Sequence, residues 1–124
     1  DVRIITPHIP DKLYVHEVSR SHYQLLIEGG VRIFEYTPGF IHAKTFCVDD
    51  RYSVVGTINL DYRSLYLHME CGVWMCGTDS IKDIKFDFFR TLKSCQEITL
   101  EDCRKVPWYR RLLRSLLRIF APLM

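Results

Sequence analysis

The sequence predicts an α/β layered domain, a mixed β-sheet covered by helices, ending in a basic amphipathic helix. Short β-branched runs such as "VRIITP" and "VRIFEY" alternate with segments of helical period. A tight "DDR" turn joins two further apolar runs as an antiparallel hairpin, and the C-terminal stretch interleaves arginine with leucine. With 124 residues, 48% of them apolar, the chain suffices for one compact domain. Residues 1–103 are expected to form its body and 104–124 the C-terminal helical segment.

Taken in order, "VRIITP" (2–7) is a strand closed by Pro7, and "HIPD" is a turn. Residues 13–28, "LYVHEVSRSHYQLLIE", have helical period and stop at Gly29 and Gly30. "VRIFEYTP" (31–38) is a second strand, "AKTFCVD" (43–49) and "YSVVGTI" (52–58) are the hairpin arms, and "CGVWMCG" (71–77) is a fifth strand. Ser80 followed by Asp83 is a capping-box signature, and Ile81, Ile84, Phe88, Phe89 and Leu92 recur at helical spacing, so this helix should lay its apolar face on the sheet. Thr99 with Asp102 opens another helical stretch before Pro107. From Trp108 to Phe120 a helical projection gathers Arg110, Arg111, Arg114 and Arg118 within an arc of about 100°, with Leu112, Leu113, Leu116, Leu117, Ile119 and Phe120 on the other side.

Charge is distributed unevenly. Residues 104–124 carry six basic side chains and no acid, so against a whole-chain charge of +2 the first 103 residues hold −4. This points to one localised basic contact and away from a polyanion-coating surface, so no nucleic-acid partner is expected. The five cysteines, Cys47, Cys71, Cys76, Cys95 and Cys103, are odd in number and lack zinc-site spacing, which predicts reduced thiols, with Cys47, Cys71 and Cys76 acting as small hydrophobes in strands. The chain opens on a strand without an initiator methionine, as a piece of a longer protein would, and contains no apolar run long enough to span a bilayer.

The chemistry is concentrated in "IHAKTFCVDDRYSVVGTINLD" (41–61). On a strand, His42 and Lys44 share a face about 6.5 Å apart, a spacing that can close on one anionic group. Lysine offers a fixed positive charge to phosphate oxygens, while histidine can act as nucleophile, acid or base. A protonated lysine beside the imidazole repels a cation, so no metal is expected there, and the motif calls for no cofactor. Past Gly56, whose missing side chain lets a ligand approach the backbone, Thr57 and Asn59 supply a hydroxyl and an amide as further phosphate donors.

The pattern His42, Lys44, Asp49, Gly56, Thr57, Asn59 resembles the HKD motif of the phospholipase D superfamily, HxKxxxxDxxxxxxG(S/T)xN, with every fixed position present. At average residue usage it arises by chance less than about once in ten million starting positions. With "TPGFIHAK", "VVGTINLDYRS", "HMECGVW" and "LLRSLLRIFAPLM", nearly the whole chain resembles the C-terminal half of bacterial cardiolipin synthases of the phospholipase D type. The resemblance implies a phospholipase D-like fold, with 1–103 as a catalytic half-domain. It also implies two HKD motifs per active site, so the N-terminal half or a second copy of this chain must complete it.

The same resemblance implies metal-independent phosphatidyl transfer in two displacements through a phosphohistidine, from two phosphatidylglycerol molecules to cardiolipin and glycerol. His42 would be the general acid and base, the N-terminal motif's histidine being the nucleophile. Lys44 and Asn59 would bind the non-bridging oxygens, Thr57 would support them, and Glu70 would fix the tautomer of a catalytic histidine. Asp49 matches the motif, yet it lies in the "VDDR" turn and faces away from His42, so a turn-holding role is expected through side-chain bonds to the backbone. Asp61 and Arg63 are open between an internal ion pair and substrate contact. His8, His16, His22 and His68 carry no motif and are expected at the surface or in packing.

Arg110, Arg111, Arg114 and Arg118 are read as a contact for an anionic membrane surface, placing the parent protein at the bacterial cell membrane, although the leucine face would equally suit packing on the protein. A phospholipase D or a nuclease built from two single-motif chains shares the same catalytic residues, and an isolated half would be an inactive lipid-binding or assembly module. The extended likeness and the leucine-rich basic tail favour the lipid enzyme.

Overall fold

The computed structural model describes residues 1–123; Met124, the last residue of the expected C-terminal segment, lies outside the described residues. The chain forms two compact units, one of residues 1–41 with 94–124 and one of residues 42–93. This partition differs from the expected division at residue 103, because the C-terminal helix packs within the first unit on the helix that follows the first strand. The mixed α/β character is as expected, but there are two three-stranded sheets, one in each unit.

In the first unit, β1 (Arg3–Pro7) pairs in parallel with β2 (Arg32–Tyr36), whose other edge pairs antiparallel with a strand at Cys95–Ile98. That strand is absent from the sequence reading: it is four residues long, and its central Gln96 and Glu97 give it no apolar run. The helix expected over 13–28 is two, α1 (Leu13–Ser21) and α2 (Tyr23–Glu28), parted at His22. Ser19 and Ser21 donate their hydroxyls to the carbonyls of Val15 and Val18, at 3.0 and 2.6 Å, and this competition for backbone acceptors bends the helix where they sit.

The 42–93 unit is an antiparallel sheet of β3 (Thr45–Val48), β4 (Tyr52–Gly56) and β5 (Gly72–Cys76), with α3 (Ser80–Leu92) packed on β3 and β4. Ile81 anchors α3 at 1% exposure, while Phe89, expected on the inner face, is exposed. The capping box expected at Ser80 does not form, since the helix starts at Ser80 itself, after Asp79. The C-terminal strand of the first unit, Cys95–Ile98, is β6; the predicted Thr99 and Asp102 box does form and opens α4 (Leu100–Arg104), followed by α5 (Trp108–Ile119). All five cysteines are free thiols, but Cys47, Cys71 and Cys76 are exposed rather than packed as small hydrophobes.

The first unit buries an ionic cluster. Glu35 on β2, 1% exposed, receives Nε and a terminal nitrogen of Arg20 at 2.8 and 2.6 Å, and Nδ1 of His8 lies 2.8 Å from it. Burial alone would raise the Glu35 carboxyl; the hydrogen bonds and charges of Arg20 and His8 outweigh it and hold it below the usual range. Tyr23 on α2, pushed up to about 12 by burial, bonds Thr6 on β1 at 2.7 Å. Burial, with the charge of Arg20, lowers His16, and burial with Arg118 lowers His22.

Both histidines bind fewer protons folded than unfolded once the pH drops below the ordinary 6.5, so their contribution is complete above that value and lost as pH falls through the folded values. Glu35 withdraws its own contribution only below the ordinary 4.5, through its lower folded value. The thermal midpoint of this unit is therefore expected to decline from pH 7.5 to pH 5 by roughly a few degrees; a midpoint that held or rose over that window would contradict the assignment.

Candidate active site

The motif residues occupy the approach to β3 and the exit from β4. Only Thr45–Val48 is strand, so His42 and Lys44 lie in the extended segment before it rather than on a shared strand face. The backbone still aligns, because the Lys44 carbonyl accepts from Gly56 N at 3.1 Å. Lys44 folds back on its neighbour: Nζ lies 2.8 Å from His42 Nδ1 and donates to the His42 carbonyl at 2.9 Å. An ammonium can only donate, so Nδ1 accepts and the ring proton resides on Nε2. One proton of Nζ remains for a further acceptor. His42 is exposed and Lys44 half-buried.

Thr57 is committed elsewhere than expected. Its hydroxyl donates to the Glu70 carboxylate and accepts from Cys71 N at 3.0 Å, while Thr57 N donates to Cys71 O at 2.9 Å. A hydroxyl with one proton cannot simultaneously serve a phosphate oxygen. Thr57 thus holds Glu70 in place. The Glu70 carboxyl lies below the usual range, first because of the bond from Thr57, then one from Ser64, with the charges of His68 and Lys44 adding.

Gly56 also has a different reason from the expected one. A Cβ there would sit 2.2 Å from the Cys71 carbonyl oxygen and 2.6 Å from Gly72 Cα, so the space it leaves is filled by β5, not by a ligand. Asn59, in the irregular segment after β4, is exposed, and its amide makes no hydrogen bond among the described residues.

Asp49 and Asp50 have φ of 49° and 55°, and Arg51 N donates to Val48 O at 3.1 Å, which makes a type I′ turn between β3 and β4. Asp49 is there for its tolerance of the left-handed region, and it makes no side-chain bond to the backbone among the described residues. Asp61 and Arg63 form no ion pair: Asp61 accepts from Ser64 N at 2.6 Å, and Arg63 Nε meets His68 Nε2. The Asp61–Ser64 contact caps a five-residue π-helix (Arg63–Leu67), and the Asp-x-x-Ser spacing was its one sequence signal.

The 42–93 unit thus brings His42 to Lys44 and Thr57 to Glu70, and places Asp49 in the turn. A cavity of about 340 Å³ along α3 is lined by Asp50, Ile81, Lys82, Lys85, Phe86 and Phe89 and includes no motif position. Lys44 and Asn59 carry an ammonium and an amide, donor types suited to an anion. Among the described residues no group of three or more His, Cys, Asp or Glu is placed to hold a metal ion.

In the other unit, α5 is oriented with its apolar side outward. Leu112, Leu116 and Ile119 are 55%, 51% and 70% exposed, whereas Arg114 turns inward and donates to Glu17 at 2.7 Å, with 12% of its side chain exposed. Arg111 donates to the Arg104 carbonyl, and Arg110 and Arg118 are exposed. No helix among the described residues is long and apolar enough to cross a membrane.

These features, with the fold, define a phospholipase D-like domain. Residues 1–92 match the family described as the cardiolipin synthase, phospholipase D-like domain, and the chain belongs to that family. It is 46% identical over its whole length to an uncharacterized protein of Streptococcus mutans, covering 27% of that protein. It is likewise 40% identical to a cardiolipin synthase of Halalkalibacterium halodurans and 38% identical to cardiolipin synthase 2 of Bacillus anthracis, covering 25% and 24% of them. The chain spans about a quarter of the length of the curated relatives it matches.

Proposed function

We propose that this chain is one half of the active site of a phosphatidyltransferase that makes cardiolipin and glycerol from two phosphatidylglycerol molecules. The observation that carries the reading is the 2.8 Å contact of Lys44 Nζ with His42 Nδ1. It leaves the exchangeable proton on Nε2, which suits His42 to protonating the departing glycerol oxygen rather than attacking phosphorus. The nucleophile, and the phosphohistidine, would then belong to the second HKD motif, supplied by the N-terminal half or by a second copy. In the first displacement the histidine nitrogen bonds to phosphorus as the P–O bond to glycerol breaks; His42 gives that oxygen its Nε2 proton while Nδ1 takes the proton shared by Lys44, so the ring ends as neutral imidazole. In the second, Nε2 takes the proton of the glycerol hydroxyl on the acceptor phosphatidylglycerol, whose oxygen displaces the histidine, and Nδ1 returns its proton to Lys44.

Lys44 and Asn59 would hold the non-bridging oxygens, and Thr57 with Glu70 would position the site from behind. The outward leucines of α5 fit contact with a membrane surface, where the substrate resides. Full-length protein on phosphatidylglycerol vesicles in excess EDTA is expected to yield cardiolipin and glycerol, followed by mass spectrometry, and His42→Ala to abolish both. Phosphatidic acid as the main product would replace the transferase by a hydrolase, and a requirement for metal would overturn the mechanism.

A further inference from the structure

A second anion-suited site lies in the unit of residues 1–41 and 94–124, formed by elements that carry none of the HKD residues. A cavity of about 170 Å³ is framed by Arg20, Arg111, Arg114 and Arg118, with Ser115 and Cys103 also in its wall, and no carboxylate lines it. Arg111, Arg114, Ser115 and Arg118 come from one face of α5, at i, i+3, i+4 and i+7, so the helix itself gathers them. Their like charges are held together at a cost that needs an explanation.

Two of the four are anchored on carboxylates, and Arg111 donates to the Arg104 carbonyl. Arg20 spends Nε and one terminal nitrogen on Glu35, and Arg114 spends Nε on Glu17, which fixes both guanidiniums and leaves further N–H groups unspent. Arg118 makes no hydrogen bond or ion pair among the described residues, and its charge helps lower the neighbouring His22. The acids nearest Cys103 are occupied outside the cavity wall: Glu28 accepts from Gln24, and Asp102 from Thr99. Anchored, half-spent guanidiniums around a small cavity with a hydroxyl in its wall are a phosphate-binding arrangement.

We propose that this cavity binds a phosphate group, either free phosphate or the phosphodiester of an anionic lipid headgroup. The exposed Leu112, Leu116 and Ile119 on the same helix give acyl chains an apolar path, but that source rests on the lipid function proposed above; the phosphate chemistry does not.

Cys103, in the cavity wall and half-buried, is a local reporter. Its alkylation by iodoacetamide in the full-length His42→Ala protein can be followed by mass spectrometry, with the exposed Cys47 and Cys76 of the other unit as internal references. Millimolar phosphate, against chloride of equal ionic strength, is expected to slow Cys103 alkylation at least threefold and leave Cys47 and Cys76 unchanged. In phosphate-free buffer, phosphatidylglycerol vesicles are expected to do the same and phosphatidylcholine vesicles not; protection by phosphate alone assigns the site to the free anion. Arg118→Gln, at a side chain without a bonded partner to lose, should remove the protection. Protection by neither probe, or undiminished protection in Arg118→Gln, overturns the site. Because His42 is already replaced, a failure here is separate from a failure of the transferase reading.

Discussion

Replacing Lys44 by alanine in the full-length protein is expected to lower the rate of phosphatidyl transfer by about 10²–10³, the usual loss when one pre-placed donor to a developing charge is removed. The ammonium does two things at once. Its bond to His42 Nδ1 at 2.8 Å sets the ring proton on Nε2, and its remaining proton can be donated to a phosphate oxygen. Charge on the non-bridging oxygens and the need for a proton at the leaving oxygen both peak in the transition state, so the loss should fall on kcat more than on KM. Lys44→Arg keeps the charge but not the compact ammonium that can reach a ring nitrogen and the carbonyl of the same residue, so it should restore little. A steady-state comparison of the two variants on phosphatidylglycerol micelles decides the matter. Full rescue by arginine would reduce Lys44 to a general positive charge, and a pure KM effect would move it from the reaction to substrate binding.

What the sequence made legible follows the range of the signal. The hairpin was readable because Asp49 and Asp50 are local markers of a left-handed turn between apolar runs, and α4 because Thr99 and Asp102 cap it within one turn. The pairing of His42 with Lys44 was readable because it spans two residues, although the reason offered, a strand face, failed where β3 starts only at Thr45. Contacts that depend on distant chain were not readable. Nothing in "VVGTIN" tells that Cys71 and Gly72 run alongside it, so Thr57 was given to the substrate when its proton goes to Glu70. In the same way Arg20 and Glu35 lie 15 residues apart on different elements and meet only once α1 covers the sheet. The direction in which α5 presents its arginines was also beyond the helical projection, which shows that two faces exist and not which one meets α1.

The smallest substitution near the site is expected to be among the most damaging. Gly56→Ala adds one methyl group whose carbon would lie 2.2 Å from the Cys71 carbonyl oxygen and 2.6 Å from Gly72 Cα. Both obstacles are backbone, so no side-chain rotation relieves them and β5 itself must retreat from β4. That retreat breaks the register at Gly56 and Gly72 and pulls apart the bonds between Thr57 and Cys71, at 2.9 and 3.0 Å, that hold Glu70. The cost should reach about 3 kcal/mol or more, at the upper end of overpacking effects. Activity should be lost with it, although every proposed catalytic group remains. Gly72→Ala, on the facing strand, provides the comparison: its added carbon would meet Ile58 Cδ1 at 3.3 Å and Val54 Cγ1 at 3.4 Å, side chains that can give way. That variant should lose only about 1 kcal/mol. Denaturant midpoints of the two variants, measured beside transferase activity, separate the causes. Equal destabilisation would mean that the strand pairing tolerates a methyl on either side alike. An inactive but fully stable Gly56→Ala would return the glycine to the role the sequence first suggested, a place where substrate approaches the backbone.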